Sequence, residues 1–226
     1  MTDLSGVARN PHLKGNSMRD FLISIRTNAW RTSRARYNAA RRLKRREFFA
    51  TVSLAFFSAA TAALAFMQKV YAAPSGTPLD NYLTALSACL GIFLLAISLM
   101  EWGSANGAKA DAMHRNAEDL NALQLKISMS IAKLDESVSM TWDDVDALRR
   151  EYESVKERCS YNHAPIDDEF FRATHRKAKE FQQVDGAPQI GLVEGSWIAL
   201  KYLCSSIWYF LIFWGVLIAL LLYTPW

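Results

Sequence analysis

Two long apolar runs, residues 48–67 and 82–100, contain no charged residue and are bounded by Lys69 and Glu101. A short linker, residues 71–81, joins them and holds Pro74, Gly76, Pro78 and a single charge, Asp80. Each run is about as long as the roughly 20 residues a helix needs to cross a bilayer core. A third run, residues 202–223, passes through Ile207, Trp208, Tyr209, Phe210, Leu211, Ile212, Phe213 and Trp214 without a charge. The pattern predicts an all-α membrane protein: a transmembrane hairpin, a polar helical region, and an additional C-terminal transmembrane helix. A hairpin returns the chain to its starting side, so the segments before and after it share one side of the membrane.

The polar segments have their own periodicity. Residues 1–18 mix Gly6, Asn10, Pro11, Gly15 and Asn16 without a period and read as a mobile tail. From Arg19 a helical stripe begins, with Leu22, Ile25, Ala29, Arg36, Ala40 and Leu43, flanked by Trp30 and Tyr37. Beyond Met100 the second spanning helix is expected to continue outward. Its stripe is Met113, Ala117, Leu120, Leu123, Ile127, Ile131 and Leu134, spaced three or four apart like a coiled-coil seam. Asp135, Glu136, Ser137 and Ser139 end it. Thr141 then caps a new helix, with Asp143 and Asp144 at its electropositive N-terminus. Val145, Leu148, Tyr152, Val155 and Cys159 form its stripe, and the two helices are expected to pack as an antiparallel hairpin. A further helix starts near Asp167 with Phe170 or Phe171, Thr174, Ala178 and Phe181 inward, and a Gly/Pro-containing linker through Asp185, Gly186, Pro188, Gly191 and Gly195 follows. The predicted layout is tail 1–18, basic amphipathic helix 19–47, transmembrane hairpin 48–100, helical region 101–196 and C-terminal transmembrane helix 197–226.

Charge orients this layout. The net charge of +4 conceals twelve Lys/Arg against three acidic residues in 1–47, a balance of +9, and thirteen against eighteen in 101–201, a balance of −5. Arg41, Arg42, Lys44, Arg45 and Arg46 abut the first spanning helix, so the positive-inside tendency places the N-terminus and residues 101–196 in the cytoplasm. The cluster Arg31, Arg34, Arg41, Arg42, Lys44, Arg45 and Arg46 has three open uses: fixing topology, lying on anionic lipid, or gripping a phosphate-rich ligand. The first apolar run lies too far from the N-terminus, and is too long, for a cleaved signal peptide. The three cysteines, Cys89, Cys159 and Cys204, lack disulfide or zinc-ligand spacing.

Catalytic chemistry is poorly represented. Gly103, Gly107 and Lys109 match part of a phosphate loop, but the spacing is short and Ala110 follows the lysine. His163 near Asp167 and Asp168 is read more simply as a turn residue than as an acid–base or metal centre. No nucleophile, base and orienting group assemble, so no enzyme, cofactor or metal is expected. The membrane runs carry small residues at helical spacing instead. Thr51, Ala55, Ser58, Ala62 and Ala65 mark the first; Thr84, Ser87, Gly91 and Ser98 mark the second. Such stripes permit close helix packing in lipid, and the second is also a candidate pore lining of weak polarity, since no intramembrane charge accompanies it.

Two further stretches carry a resemblance. Trp30-Arg31-Thr32-Ser33-Arg34-Ala35-Arg36-Tyr37 leads into the membrane hairpin, and Tyr161-Asn162-His163-Ala164-Pro165-Ile166-Asp167 lies far downstream. This arrangement, over residues 21–179, resembles the SLATT family, the SMODS- and SLOG-associating two-transmembrane effectors of bacterial anti-phage systems. The resemblance implies a pore-forming effector in the bacterial inner membrane that depolarises or permeabilises it and aborts infection. It implies control by a nucleotide or oligonucleotide from a partner nucleotidyltransferase. The membrane stripes add an expected homo-oligomer. Trp30, Tyr37, Asn162, His163 and Asp167 are then candidates for gating or subunit contact. The run 202–223 departs from a two-helix outline and is expected to buttress a ring of hairpins; its Trp208, Tyr209, Phe213 and Trp214 suit a lipid-facing or peripheral helix, with aromatics near an interface. The alternative is a non-conducting membrane scaffold that recruits a soluble partner through its polar helices.

Overall fold

The structure, a computed structural model, describes residues 11–71, 75–136, 139–183 and 186–222. Its elements are α1 (Pro11–Tyr71), α2 (Pro78–Ser104), α3 (Asn106–Asp135), α4 (Trp142–Glu157), α5 (Pro165–Thr174), a 3₁₀ turn (Lys179–Phe181) and α6 (Leu192–Leu222). Among the described residues the only β pairing is an isolated bridge between Gln182 and Pro188.

α1 joins what the sequence pattern divides. It runs for 61 residues through the basic segment and the first apolar run without a break. No glycine or proline interrupts residues 17–71, and Ala, Arg and Leu, strong helix formers, dominate. It also begins at Pro11, eight residues ahead of the Arg19 start, because a proline suits the first helical position. Residues 1–10 of the expected tail lie outside the described residues.

The expected continuation of α2 into α3 is broken at Ala105. This residue adopts φ 47°, ψ 42°, the left-handed conformation, and its N–H donates to Glu101 O at 3.2 Å. The stretch Gly103-Ser104-Ala105-Asn106-Gly107 is poor in helix formers. Asn106, buried, holds the break by donating Nδ2 to Ser104 Oγ at 2.6 Å and Glu101 Oε2 at 3.2 Å. A Cβ on Gly107 would meet the Glu47 carboxylate, whose flexible side chain would have to swing aside.

The chain divides into two compact units, each containing part of α1. The first comprises Met1–Ala39 and Ala112–Ser196. Its core joins Met18, Leu22, Ile25 and Ala29 of α1 to Leu120, Leu123, Ile127 and Ile131 of α3 and Val145, Leu148, Tyr152 and Val155 of α4. Arg19 pairs with Asp135 while Ser33 Oγ donates to Ala117 O, so α1 and α3 are antiparallel. Lys126 pairs with Glu151 and Asn116 Nδ2 reaches Val155 O, so α3 and α4 are antiparallel too. Thr141 and Asp144 close α4 with a reciprocal capping box, at 3.2 and 2.8 Å. The α3–α4 hairpin therefore has a third member. The apolar stripe of α1 that reads as a membrane-surface face is covered by protein at Leu22, Ile25 and Ala29.

The second unit comprises Ala40–Asp111 and Trp197–Trp226. Three described helices are long and apolar enough to cross a membrane; α1 and α2 carry two of these segments and α6 is the third. Ala50 and Phe57 of α1 pack with Leu86, Leu90 and Ile97 of α2 and Phe210 and Leu217 of α6. Tyr209, Phe213 and Trp214 are partly buried against this core, and Trp208 is exposed. Trp214 stacks 5.2 Å from Phe57, and Phe213 lies 5.1 Å from Phe93. Two polar pairs form inside: Trp214 Nε1 donates to the fully buried Ser53 Oγ at 3.0 Å, and Tyr82 OH donates to Leu220 O at 2.8 Å, while the buried Ser87 and Ser206 hydroxyls have no partner among the described residues. Where water is scarce an unpaired donor costs several kcal/mol, which favours these pairings.

Candidate functional site

The site lies in the first unit, where the two stretches quoted for the family resemblance meet. One short stretch of α1 supplies Asn28, Arg31 and Thr32; α4 supplies Tyr152; the turn before α5 supplies His163, and the start of α5 supplies Pro165 and Asp168. Together they line a cavity of about 360 Å³. Arg31 Nε and Nη2 donate to the two Asp168 carboxylate oxygens at 2.6 and 2.5 Å, a fork-on-carboxylate pair. Asp168 raises the Arg31 pKa further above its ordinary value. The Thr32 and Tyr152 hydroxyls lie 3.4 Å apart.

Behind the cavity is a buried polar framework. Arg36 is almost inaccessible; it donates Nη1 to Asn116 Oδ1 and Nη2 to Lys156 O at 3.2 Å. Asn116 in turn donates Nδ2 to Val155 O at 2.6 Å. The pair thus satisfies two carbonyls in the last turn of α4, groups a helix end leaves without internal partners. Burial lowers the Arg36 pKa. Asn38 Nδ2 donates to the backbone oxygen of Asp167 at 3.0 Å. The fully buried Asp167 carboxylate accepts from Ala164 N at 2.8 Å and so caps α5.

His163 sits between these layers. Its Nδ1 is buried and has no hydrogen-bond partner among the described residues. Burial pushes the imidazole below its usual range, with Arg36 and Arg31 adding to the effect and Asp167 and Asp168 opposing it. Asn162 Oδ1 accepts from His163 N at 3.0 Å and fixes the turn. Trp30 packs edge-on to Phe171 at 4.9 Å and stacks on Phe181 at 5.8 Å, anchoring α5 and the 3₁₀ turn to α1. Tyr37 meets His114 at 5.2 Å. Trp30, Tyr37, Asn162, His163 and Asp167 thus all belong to this unit, with His163 alone of the five lining the cavity.

The basic cluster is divided between the two units. Arg31 and Arg34 belong to the first unit; Arg41, Arg42, Lys44, Arg45 and Arg46 belong to the second. Arg34 and Arg41 are exposed, whereas Arg42 is buried. Lys44 pairs with Glu47 at 3.0 Å and Asp111 at 3.3 Å. Arg45 lies 5.6 Å over the Tyr202 ring, and Arg46 donates twice to Ser205 O. On α2, Thr84, Gly91 and Ser98 face away from the bundle of their own unit, and Ser87 is half-buried. The same outward exposure holds for Thr51, Ala55, Ser58, Ala62 and Ala65 of α1.

Asn28, Asp168, Tyr152 and Asn116 are the site residues that sequence reasoning missed. Asn116 carried a signal, a polar residue beside Ala117 on a packed helical stripe. Arg36 carried a stronger one, since it falls on the apolar stripe of α1.

An uncharged three-helix apolar core, and a second helical unit that carries a polar cavity, define an all-helical membrane protein. The family model of SMODS and SLOG-associating 2TM effector domain family 5 matches residues 18–223, nearly the whole chain, and the chain belongs to that family. These are two-transmembrane effector domains of anti-phage systems. The match runs through α6, so the third apolar helix falls within the family's extent. No curated protein and no solved structure matches the chain.

Proposed function

We propose that the protein is a pore-forming effector that permeabilises or depolarises the bacterial inner membrane and aborts phage infection. In this reading several copies assemble in the bilayer, with the N-terminus and residues 101–196 in the cytoplasm. A nucleotide or oligonucleotide from a partner nucleotidyltransferase sets the open or closed state. The observation that carries the reading is the outward face of the hairpin. The small and hydroxyl residues Thr84, Gly91 and Ser98 of α2 turn away from their own helical bundle, with no charged residue between 70 and 79 or within 82–100. A face of that kind suits contact with a second hairpin or with a weakly polar conduit. Family membership supplies the effector role, and its name associates the family with SMODS nucleotidyltransferases. A ligand moves such a gate only through its difference in affinity for the two states.

The test is inducible expression with a membrane-potential dye, with and without the neighbouring nucleotidyltransferase. A potential that collapses in one condition and holds in the other is expected. An unchanged potential in every condition overturns the proposal, and pull-down of a soluble partner without conductance then favours the scaffold.

A further inference from the structure

The cavity at Arg31 is furnished for a neutral hydrogen-bonding ring rather than for a phosphate. Its lining holds one cation, Arg31, one anion, Asp168, and the uncharged polar groups of Asn28, Thr32 and Tyr152. Asp168 already fills the guanidinium fork that a phosphate would take. The pair leaves free N–H groups on Arg31 next to spare lone pairs on Asp168, so it presents a donor beside an acceptor. Nucleobase edges carry the complementary pattern, an acceptor beside a donor, as in adenine N7 and N6.

Three further features agree. His163 lines the same cavity, and its buried Nδ1 has no partner among the described residues. Pro165 contributes an apolar wall against which a flat ring can rest. The volume of about 360 Å³ is near the low end of the roughly 300–1,000 Å³ typical of small-molecule sites, room for one base rather than an oligonucleotide. An exposed cation stands nearby for an attached phosphate: Arg34 lies three residues along α1 from Arg31, while Lys156 Nζ is taken by Glu153 at 2.7 Å.

We infer that this cavity binds the base of a nucleotide, with Arg31 and Asp168 reading its edge and Asn28 and His163 completing the contacts. The inference rests on the nucleotide-controlled reading above and names the part of the molecule that would take the signal.

The experiment is ligand-observed NMR and calorimetry on the full chain in detergent micelles. The probes are the four ribonucleoside 5′-monophosphates, with ribose 5-phosphate as the base-free control. At least one monophosphate is expected to bind ten-fold or more tightly than ribose 5-phosphate. Asp168→Asn, which places a donor where an acceptor stands, is expected to weaken that binding at least ten-fold. Because Asp168→Asn also breaks an ion pair, Asn28→Ala is the second variant, expected to keep the unfolding midpoint and lose about five-fold in affinity. Equal binding of the sugar phosphate, no binding of any base, or unchanged affinity in both variants overturns the inference. Conductance controlled by the neighbouring enzyme without base binding here overturns this inference alone. Base binding with a silent membrane overturns the pore and leaves the site standing.

Discussion

The two units solve the problem of buried polarity in opposite ways. The first buries Ser33, Arg36, Asn38, Asn116 and Asp167, and ties its helices together through them. The second buries Arg42 and Asn106 outside its apolar runs, and within those runs mostly rings and aliphatics, with Ser53 and Ser206 as the buried polar residues. A helical unit bathed in water gains from burying apolar surface and can then add polar bonds that select one arrangement. Helices in lipid gain little from burying apolar surface against one another, and depend on close packing and a few internal hydrogen bonds. The contrast teaches where specificity resides: in the first unit it is written in named polar pairs, in the second in shape.

Four measurements test that contrast. The largest effect is expected from matched cavity mutations at two fully buried leucines. Leu120→Ala in the first unit should cost about 3 kcal/mol, within the roughly 2.7–5 kcal/mol seen for such truncations in water. Leu90→Ala in the second should cost clearly less, since its reference state in lipid is as apolar as the core and the transfer part of the loss falls away. Equal costs in detergent-based unfolding would erase the distinction. Next comes Arg36→Ala, expected to destabilise by about 2 kcal/mol because Asn116 Oδ1 and Lys156 O lose their donor. Hydrogen exchange should quicken first in the last turn of α4.

Smaller is Trp214→Phe, which keeps the ring but removes the donor to Ser53, with an expected loss of about 0.6 kcal/mol. A loss above that of Arg36→Ala would reverse the comparison. The smallest effect concerns pH. The His163 pKa is lowered in the folded protein, so the unfolded chain takes up the proton first as pH falls. The contribution of neutral His163 is present above the unfolded value of about 6.5 and is lost as pH falls below it. Stability measured from pH 7.5 to 5 should therefore fall more steeply in the native protein than in His163→Gln. Parallel curves would show that the imidazole titrates alike in both states.

Much of the architecture is legible in the residue pattern, for identifiable reasons. Apolar runs of twenty or so residues without charge have few other solutions, and the stripes through Leu120 and Val145 show the 3.6-residue period directly. Ala105 was not legible, because a left-handed alanine announces itself by no residue type; only the weak helix formers around it hint at a break. The partial packing of Tyr209, Phe213 and Trp214 against the core was not legible, because aromatic residues serve membrane interfaces and membrane cores alike. In the site, Trp30, Arg31 and His163 stood out, but their meeting did not. More than 130 residues separate Arg31 from Asp168, and no local periodicity encodes a contact across that distance.

The same separation has a consequence in time. The α1 side of the first core, Leu22, Ile25 and Ala29, is synthesised about a hundred residues before Leu120 and Ile127, which cover it. At a bacterial ribosome's roughly 5–20 residues per second, that interval is on the order of 5–20 s. During it both hairpin helices emerge, while the amphipathic start of α1 has no protein partner. The nascent chain therefore shows the membrane surface a basic helix with an apolar stripe, and the finished protein withdraws it. Stalled chains ending before residue 112 should accordingly leave this helix open to protease or to lipid crosslinking, and chains reaching residue 160 should not.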